Sequence, residues 1–245
     1  MLRLSLPGDR VFAPSWGFTL LTVALCALFF VLGRWQWHKG NLRQEEWDRF
    51  AHGTDTVVRL GTRHNGELPR FRRVSVEGRL DGAHQFLLDN RSNNGRPGYE
   101  VLTPLIRADG APVLVDRGWV PFLGIRAELP DIALPATGQV QLTGRIADLP
   151  SPGLASGRAP PSGSAWPKVT TFPSMLQLST ALGADLEPRM ILLDANSGPG
   201  YTRAWRPPGM EPIRHWSYGV QWWAFAVLQL GLWIGLNLRR RKPAS

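Results

Sequence analysis

The chain has 245 residues, 43% hydrophobic and 19% charged, with one cysteine and a formal net charge of +9. That length allows one ordinary domain plus accessory segments, the single cysteine excludes a disulfide framework, a CxxC redox pair and a cysteine zinc site, and 11 Trp with 10 Phe exclude a disordered chain. Most of the basic excess flanks two apolar stretches, at Arg3, Arg10, Arg34 and the run 239–242, so it reads as a membrane-topology signal and not as a nucleic-acid-binding face.

In chain order, residues 1–14 form a short N-terminus bearing Arg3 and Arg10. Residues 16–32, WGFTLLTVALCALFFVL, are uncharged and apolar; with their flanks they predict a transmembrane helix over 15–36, since about 20 residues at 1.5 Å per residue cross the hydrocarbon. Trp16 at one end and Trp35 and Trp37 at the other suit the interfacial aromatic belts. A cleaved signal peptide would have a shorter apolar region followed by small residues, whereas GRWQWHK follows here. A lipoprotein signal at Cys26 fails because Leu25 stands where a small residue is required.

Residues 37–214 read as one β-rich domain. Its polar start, 40–50, is helix-compatible, and strands are predicted at 56–60, 71–80, 85–90, 99–107, 112–117, 139–146 and 190–193. Val74 and Val76 alternate around Ser75, Val140 and Leu142 around Gln141, and the run at 113–115 suits a strand buried on both faces. Asp109-Gly110 is a hairpin turn signal. Residues 150–167, rich in Pro, Gly and Ser, read as a mobile loop, and 174–182 as a short helix. The expected fold is therefore two transmembrane helices flanking a mainly antiparallel β domain, barrel or sandwich-like, with a minor helix.

A second span is predicted at 215–238. Trp216, Tyr218, Trp222 and Trp223 crowd its start, Gln221, Gln229 and Asn237 are expected to face the other helix, and Gly231 and Gly235 form a GxxxG that permits close approach or arises by chance. The tail 239–245 is basic. Basic flanks at both ends predict cytoplasmic termini, and the domain between them is expected on the periplasmic side of a bacterial inner membrane, because long loops translocate largely regardless of charge.

Enzyme signatures are missing: there is no HExxH, P-loop, GxGxxG or GxSxG. Copper is not expected, since Met1, Met175, Met190 and Met210 are unclustered and the one thiol lies inside the first span; zinc is not expected either. His38, His52, His64 and His84 are scattered among polar residues. His215 stands apart, at the entrance to the second span, and at helical spacing it shares a face with Tyr218, Gly219 and Trp222. Gly219 would leave a notch beside flat aromatic walls. A planar macrocycle with acidic arms could sit there, its iron held by the imidazole and its acids met by Arg214 or Arg34. The competing reading is an interfacial histidine reaching lipid headgroups.

Four stretches, LGRWQWHKGN, LLDNRSNNGRPGYEVLTPL, VLVDRGWVPF and HWSYGVQWWAFA, together resemble the Surfeit locus protein 1 family of cytochrome c oxidase assembly factors over essentially the whole chain. The resemblance implies a membrane protein without turnover chemistry that assists assembly of oxidase subunit I, with haem a as a transiently bound cofactor. His215 would be its axial iron ligand, with Arg214, Tyr218, Trp222 and Trp35 around it. Subunit I is the implied partner, and a haem a synthase a further one. Gly98, Tyr99, Pro104, Arg117, Gly118 and Trp119 fall on the family's central motifs, as partner contacts or structural turns. Relatives commonly carry Asn where this chain has Ile213 and Asp116, and Asp116 is expected to pair locally with Arg117. The rival expectation is a scaffold that binds a subunit I intermediate and no haem.

Overall fold

A computed structural model describes residues 4–5, 10–52, 56–134, 138–151, 159–207 and 209–240. In chain order the elements are β1 (Leu4–Ser5), β2 (Arg10–Phe12), α1 (Trp16–His52), β3 (Val58–Arg59), β4 (Arg73–Leu80), β5 (Phe86–Asn93), β6 (Arg96–Ile106), β7 (Val113–Pro121), β8 (Val140–Ala147), β9 (Lys168–Thr170), α2 (Met175–Leu182), β10 (Met190–Leu193), α3 (Pro212–Asn237) and β11 (Leu238–Arg240), with a 3-10 turn at Asn65–Glu67. The chain divides into two compact units, Met1–Asp48 with Gly209–Ser245, and Arg49–Pro208.

The first unit holds both long helices. No proline interrupts α1 after Pro14, and the helix does not stop at the expected end of the span. It runs on to His52 because 43–48 are good helix formers carrying their own pairs: Arg43 to Glu46 at 2.7 Å and Gln44 to Asp48 at 2.9 Å. Pro212 starts α3 at a position where its missing N–H costs nothing. Both helices are long and apolar enough to cross a membrane, and most of their large apolar side chains are exposed, among them Leu20, Val23, Phe30, Val227, Leu228 and Leu236. Beyond the helix ends, β1, β2 and β11 form a three-stranded sheet that the apolar pattern did not predict.

In the second unit eight strands hydrogen-bond in the order β3-β4-β8-β10-β7-β6-β5-β9, and β4 also pairs β6 through Arg79↔Ile106 and Leu80↔Leu105. The pairings β4-β8-β10-β7-β6-β4 thus close on themselves. Most are antiparallel, as expected, but the sheet is mixed: β3 with β4, β5 with β9 and β7 with β10 run parallel. The parallel β7–β10 pair arises because β10 returns after α2 and inserts between β7 and β8. Six of the seven predicted strands differ by a few residues at one or both ends, and Met190–Leu193 coincides; β9 follows directly after the stretch predicted as a mobile loop.

Period-two alternation sorts the core. Val113 and Val115 of β7, with Ile191 and Leu193 of β10, join Leu60, Val74, Val76 and Leu142 in one cluster. The intervening Leu114, Met190 and Leu192 face the other way, toward Phe86, Leu102 and Leu178 of α2. α2 itself is bounded by chemistry readable in the chain: Ser174 and Gln177 form a reciprocal capping box, and Gly183, at φ 74°, closes it in the left-handed conformation. Of the predicted loop 150–167, residues 152–158 lie outside those described; Trp166 within it packs edge-on against Phe86 with centroids 5.1 Å apart. The tail beyond Arg240 also lies outside the described residues.

Candidate functional site

The two long helices approach through glycines. A Cβ on Gly33 would collide with the Trp223 indole, one on Gly40 with the Trp216 indole, and one on Gly219 would sit 3.1 Å from the Gly33 carbonyl oxygen. Small residues let backbones approach and large flat rings fill the space beside them. Trp37 stacks on Trp223 at 5.5 Å and leans on Trp216 at 6.1 Å, while Phe29 stacks on Trp222 at 5.8 Å. Polar ties accompany the rings: Trp216 Nε1 donates to Asn41 Oδ1 (3.1 Å), Gln229 Nε2 to Thr22 Oγ1 (3.1 Å) and Trp233 Nε1 to Thr19 Oγ1 (3.2 Å). Of the three polar residues expected to face the other helix, Gln229 does so, Gln221 is exposed, and Asn237 bonds within its own helix. Gly231 and Gly235 have open space before them and take no part in the approach.

His215 lies half-buried in this pair, with Nδ1 2.9 Å from Gln36 Oε1. An amide oxygen only accepts, so this contact is a hydrogen bond when Nδ1 carries the proton, and in that tautomer of the neutral ring Nε2 keeps the lone pair that can ligate a metal. Gln36 was not singled out by the sequence reading, although it lies three residues after Gly33 and four before Gly40, on the stripe that faces α3. The notch expected beside Gly219 is filled by the backbone of α1 at Gly33 and Trp37. Of the residues expected around His215, Tyr218 and Trp35 are exposed, 45% and 52%, Arg214 is exposed, and Trp222 is half-buried against Phe29.

Arg117 of β7 occupies a second, separate position, inside the β unit. It is 3% exposed, donates from Nη1 to Gln85 Oε1 at 2.8 Å, and lies 5.0 Å over the Tyr201 ring. Gln85 is itself pinned, receiving Thr103 Oγ1 and donating to the carbonyls of Gly82 and Ile132. The Arg117 carbonyl accepts from Tyr201 N and from Arg203 Nε, and Arg203 also donates to the carbonyls of Asp194, Ser197 and Pro199. Gly118 has φ 116°, and a Cβ there would stand 2.8 Å from the Thr202 carbonyl oxygen. Glycine is thus required where 201–202 cross the strand. Gly98 and Tyr99 are buried, Gly98 against the Trp119 ring, and Pro104 lies within the buried run of β6.

Asp116 does not pair with Arg117. Neighbours along a strand point to opposite faces, and while Arg117 reaches Gln85, Asp116 accepts from Gly118 N at 3.0 Å and leaves Oδ2 without a partner in a fully buried position. Burial first, and then the Glu100 carboxylate, push the Asp116 pKa well above the ordinary aspartate range. Burial also raises Glu100, opposed by Arg91 at 3.1 Å. Among the described residues no group of three or more His, Cys, Asp or Glu is gathered that could hold a metal ion.

A family model described as the SURF1 family matches residues 23–227, which includes the glycine–tryptophan contacts between the helices, His215 and the Arg117 strand. An uncharacterized SURF1-like protein of Mycobacterium bovis is 29% identical over 246 residues, covering 95% of this chain and 89% of its own, and one of Mycobacterium tuberculosis matches to the same extent. A SURF1-like protein of Dictyostelium discoideum is 43% identical over 49 residues, 20% of this chain and 18% of its own. With more than four-fifths of its length inside the matched region, the chain belongs to the SURF1 family.

Proposed function

We propose that this protein is a membrane-anchored assembly factor for haem–copper cytochrome c oxidase that binds haem a through His215 and assists its insertion into subunit I. The exposed apolar flanks of α1 and α3 call for lipid as their solvent. The basic termini favour a bacterial inner membrane with both ends cytoplasmic and the β unit periplasmic.

The observation that supports the haem reading best is the bond between His215 Nδ1 and Gln36 Oε1, which orients the imidazole and leaves Nε2 for iron. Tyr218, three residues after His215, and Trp35, next to Gln36 in the chain, offer exposed aromatic surface, and Arg214 a cation for an acidic edge. The bound group supplies the chromophore and the iron; the protein binds, orients and releases it. One neutral ligand on an open helix surface suits transfer better than permanent storage.

The full-length protein, purified in detergent from a host that makes haem a, should show a haem absorption spectrum. His215→Ala should abolish it with the β unit still folded, and Gln36→Leu should weaken haem affinity about 10–100-fold. Absence of stoichiometric haem from the wild type would sink the carrier reading. The filling of the Gly219 notch by α1 favours a second reading, a haem-free scaffold for a subunit I intermediate. Capture of subunit I that is unchanged in His215→Ala would support it.

A further inference from the structure

Antiparallel pairing of β4 with β8 sets Arg73 directly opposite Arg145, and β10 sets Leu192 on the other side of Arg145. Directly opposed residues of a ladder project from the same face of the sheet. Arg73 reaches across β8 and donates from Nη2 to Asp194 Oδ2 at 2.6 Å, just past the end of β10. Arg203 donates to the main-chain carbonyl of the same Asp194 at 2.6 Å. Arg145 takes no part in this pairing. Its guanidinium lies over the Phe50 ring instead, Cζ 5.0 Å from the centroid.

The ring beneath Arg145 is held in place. Phe50 is buried and meets Phe71 edge-on, centroids 5.0 Å apart. Phe71 has φ 66°, a left-handed conformation that a bulky residue rarely adopts, and such strain persists where the surroundings fix the geometry, commonly at ligand sites. Arg145 is half-buried, yet its guanidinium makes no hydrogen bond or ion pair with any described residue, and its Nε is shielded from solvent without an acceptor. Nε of Arg73 is likewise buried and unpartnered. Like charges opposed in a ladder destabilise it, and a desolvated guanidinium without an acceptor adds to that cost. Among Arg73, Arg145, Arg203 and Asp194 there are three guanidinium groups and one carboxylate, so two positive charges are left over.

We propose that Arg145 and Arg73 form a binding site for a phosphate dianion, free or at the end of a monoester. A guanidinium fork meets a phosphate through two parallel N–H···O bonds, and stacking on an aromatic face fixes the plane of that fork. The surplus of two charges suits a dianion better than a lone carboxylate. The site is independent of haem and of the membrane reading, since every residue in it belongs to the unit Arg49–Pro208.

The test titrates inorganic phosphate into the full-length protein in detergent by calorimetry, at constant ionic strength set with chloride and at a mildly alkaline pH where phosphate is a dianion. The wild type should bind at a single site from which acetate at equal concentration does not displace it. Arg145→Gln should weaken binding about tenfold or more, the size of one charge-assisted pair. Arg145→Lys should recover only part of the loss, because the fork is gone. Arg96→Gln removes the same charge from the exposed turn between β5 and β6 and should leave the affinity unchanged. Asp194→Asn withdraws the competing carboxylate and should tighten binding several-fold, which keeps the site testable should Arg145→Gln fail to fold.

A wild type that binds no phosphate would overturn the site, as would displacement by acetate. Equal weakening in Arg96→Gln would reduce the effect to net charge and overturn it too, and so would an affinity unchanged in both Arg145→Gln and Asp194→Asn. Repeating the titration in phosphatidylcholine nanodiscs that contain phosphatidic acid identifies the source of the group. Loss of the free-phosphate signal there assigns the site to a lipid headgroup and an undiminished signal to a soluble phosphate; either result supports the site.

Discussion

Asp116 is a carboxyl placed where a neutral side chain would serve. One oxygen accepts from Gly118 N, the other has no partner, and burial holds the proton on to a higher pH than in the unfolded chain. A raised folded pKa on an acid means that stability is greatest below the unfolded value near 4 and falls as pH rises from there toward the folded value. Asp116→Asn keeps the accepting oxygen and removes the ionisation. It should raise stability at neutral pH, and the gain should vanish below about pH 4. Melts of both proteins across that range would show it; a gain independent of pH would assign the effect to packing. The sequence placed Asp116 beside Arg117 but not on the opposite face from it, because adjacency along a strand says nothing until strand geometry separates the two. Gln36 is the complementary case: its type gives no signal, and its role comes from the imidazole that α3 presents to it.

At the scale of elements, the helix pair depends on where its glycines lie. A Cβ on Gly219 would stand 3.1 Å from the Gly33 carbonyl oxygen, so a methyl needs the two backbones to part by a few tenths of an ångström and a larger side chain needs more. Gly219→Ala should be tolerated with a small loss. Gly219→Leu should cost about 1–3 kcal/mol by overpacking and break the contact between His215 and Gln36. Thermal unfolding in detergent, with disulfide trapping between cysteines introduced on the facing helix surfaces, would report both; unimpaired trapping in the leucine variant would contradict the packing described. The GxxxG at 231–235 was the legible motif, yet the contacts use Gly33, Gly40 and Gly219. A spacing rule finds small residues but not the face turned toward a partner. Most strands of the β unit were legible to within a few residues because alternation and turn residues mark them locally. The mixed sheet was not, since the place of β10 between β7 and β8 depends on residues far apart in the chain.

At the scale of the whole molecule, topology is open to direct measurement. Periplasmic alkaline phosphatase fused within the β unit, for example at the exposed Gly95 turn, should be active, and the same reporter after Ser245 inactive. The reverse pattern would overturn the orientation and with it haem delivery from the outer side. What the amino-acid sequence determined by itself was the pair of apolar helices, the β character of what lies between them, the singular position of His215 and the family, all of which are written in local composition, periodicity and short motifs. Only the tertiary structure decided the meeting of His215 with Gln36, the burial of Arg117 over the Tyr201 ring and the separation of Asp116 from its neighbour. Each depends on contacts between residues distant along the chain, and these exist only after the backbone hydrogen bonds and close packing of the fold have set the register.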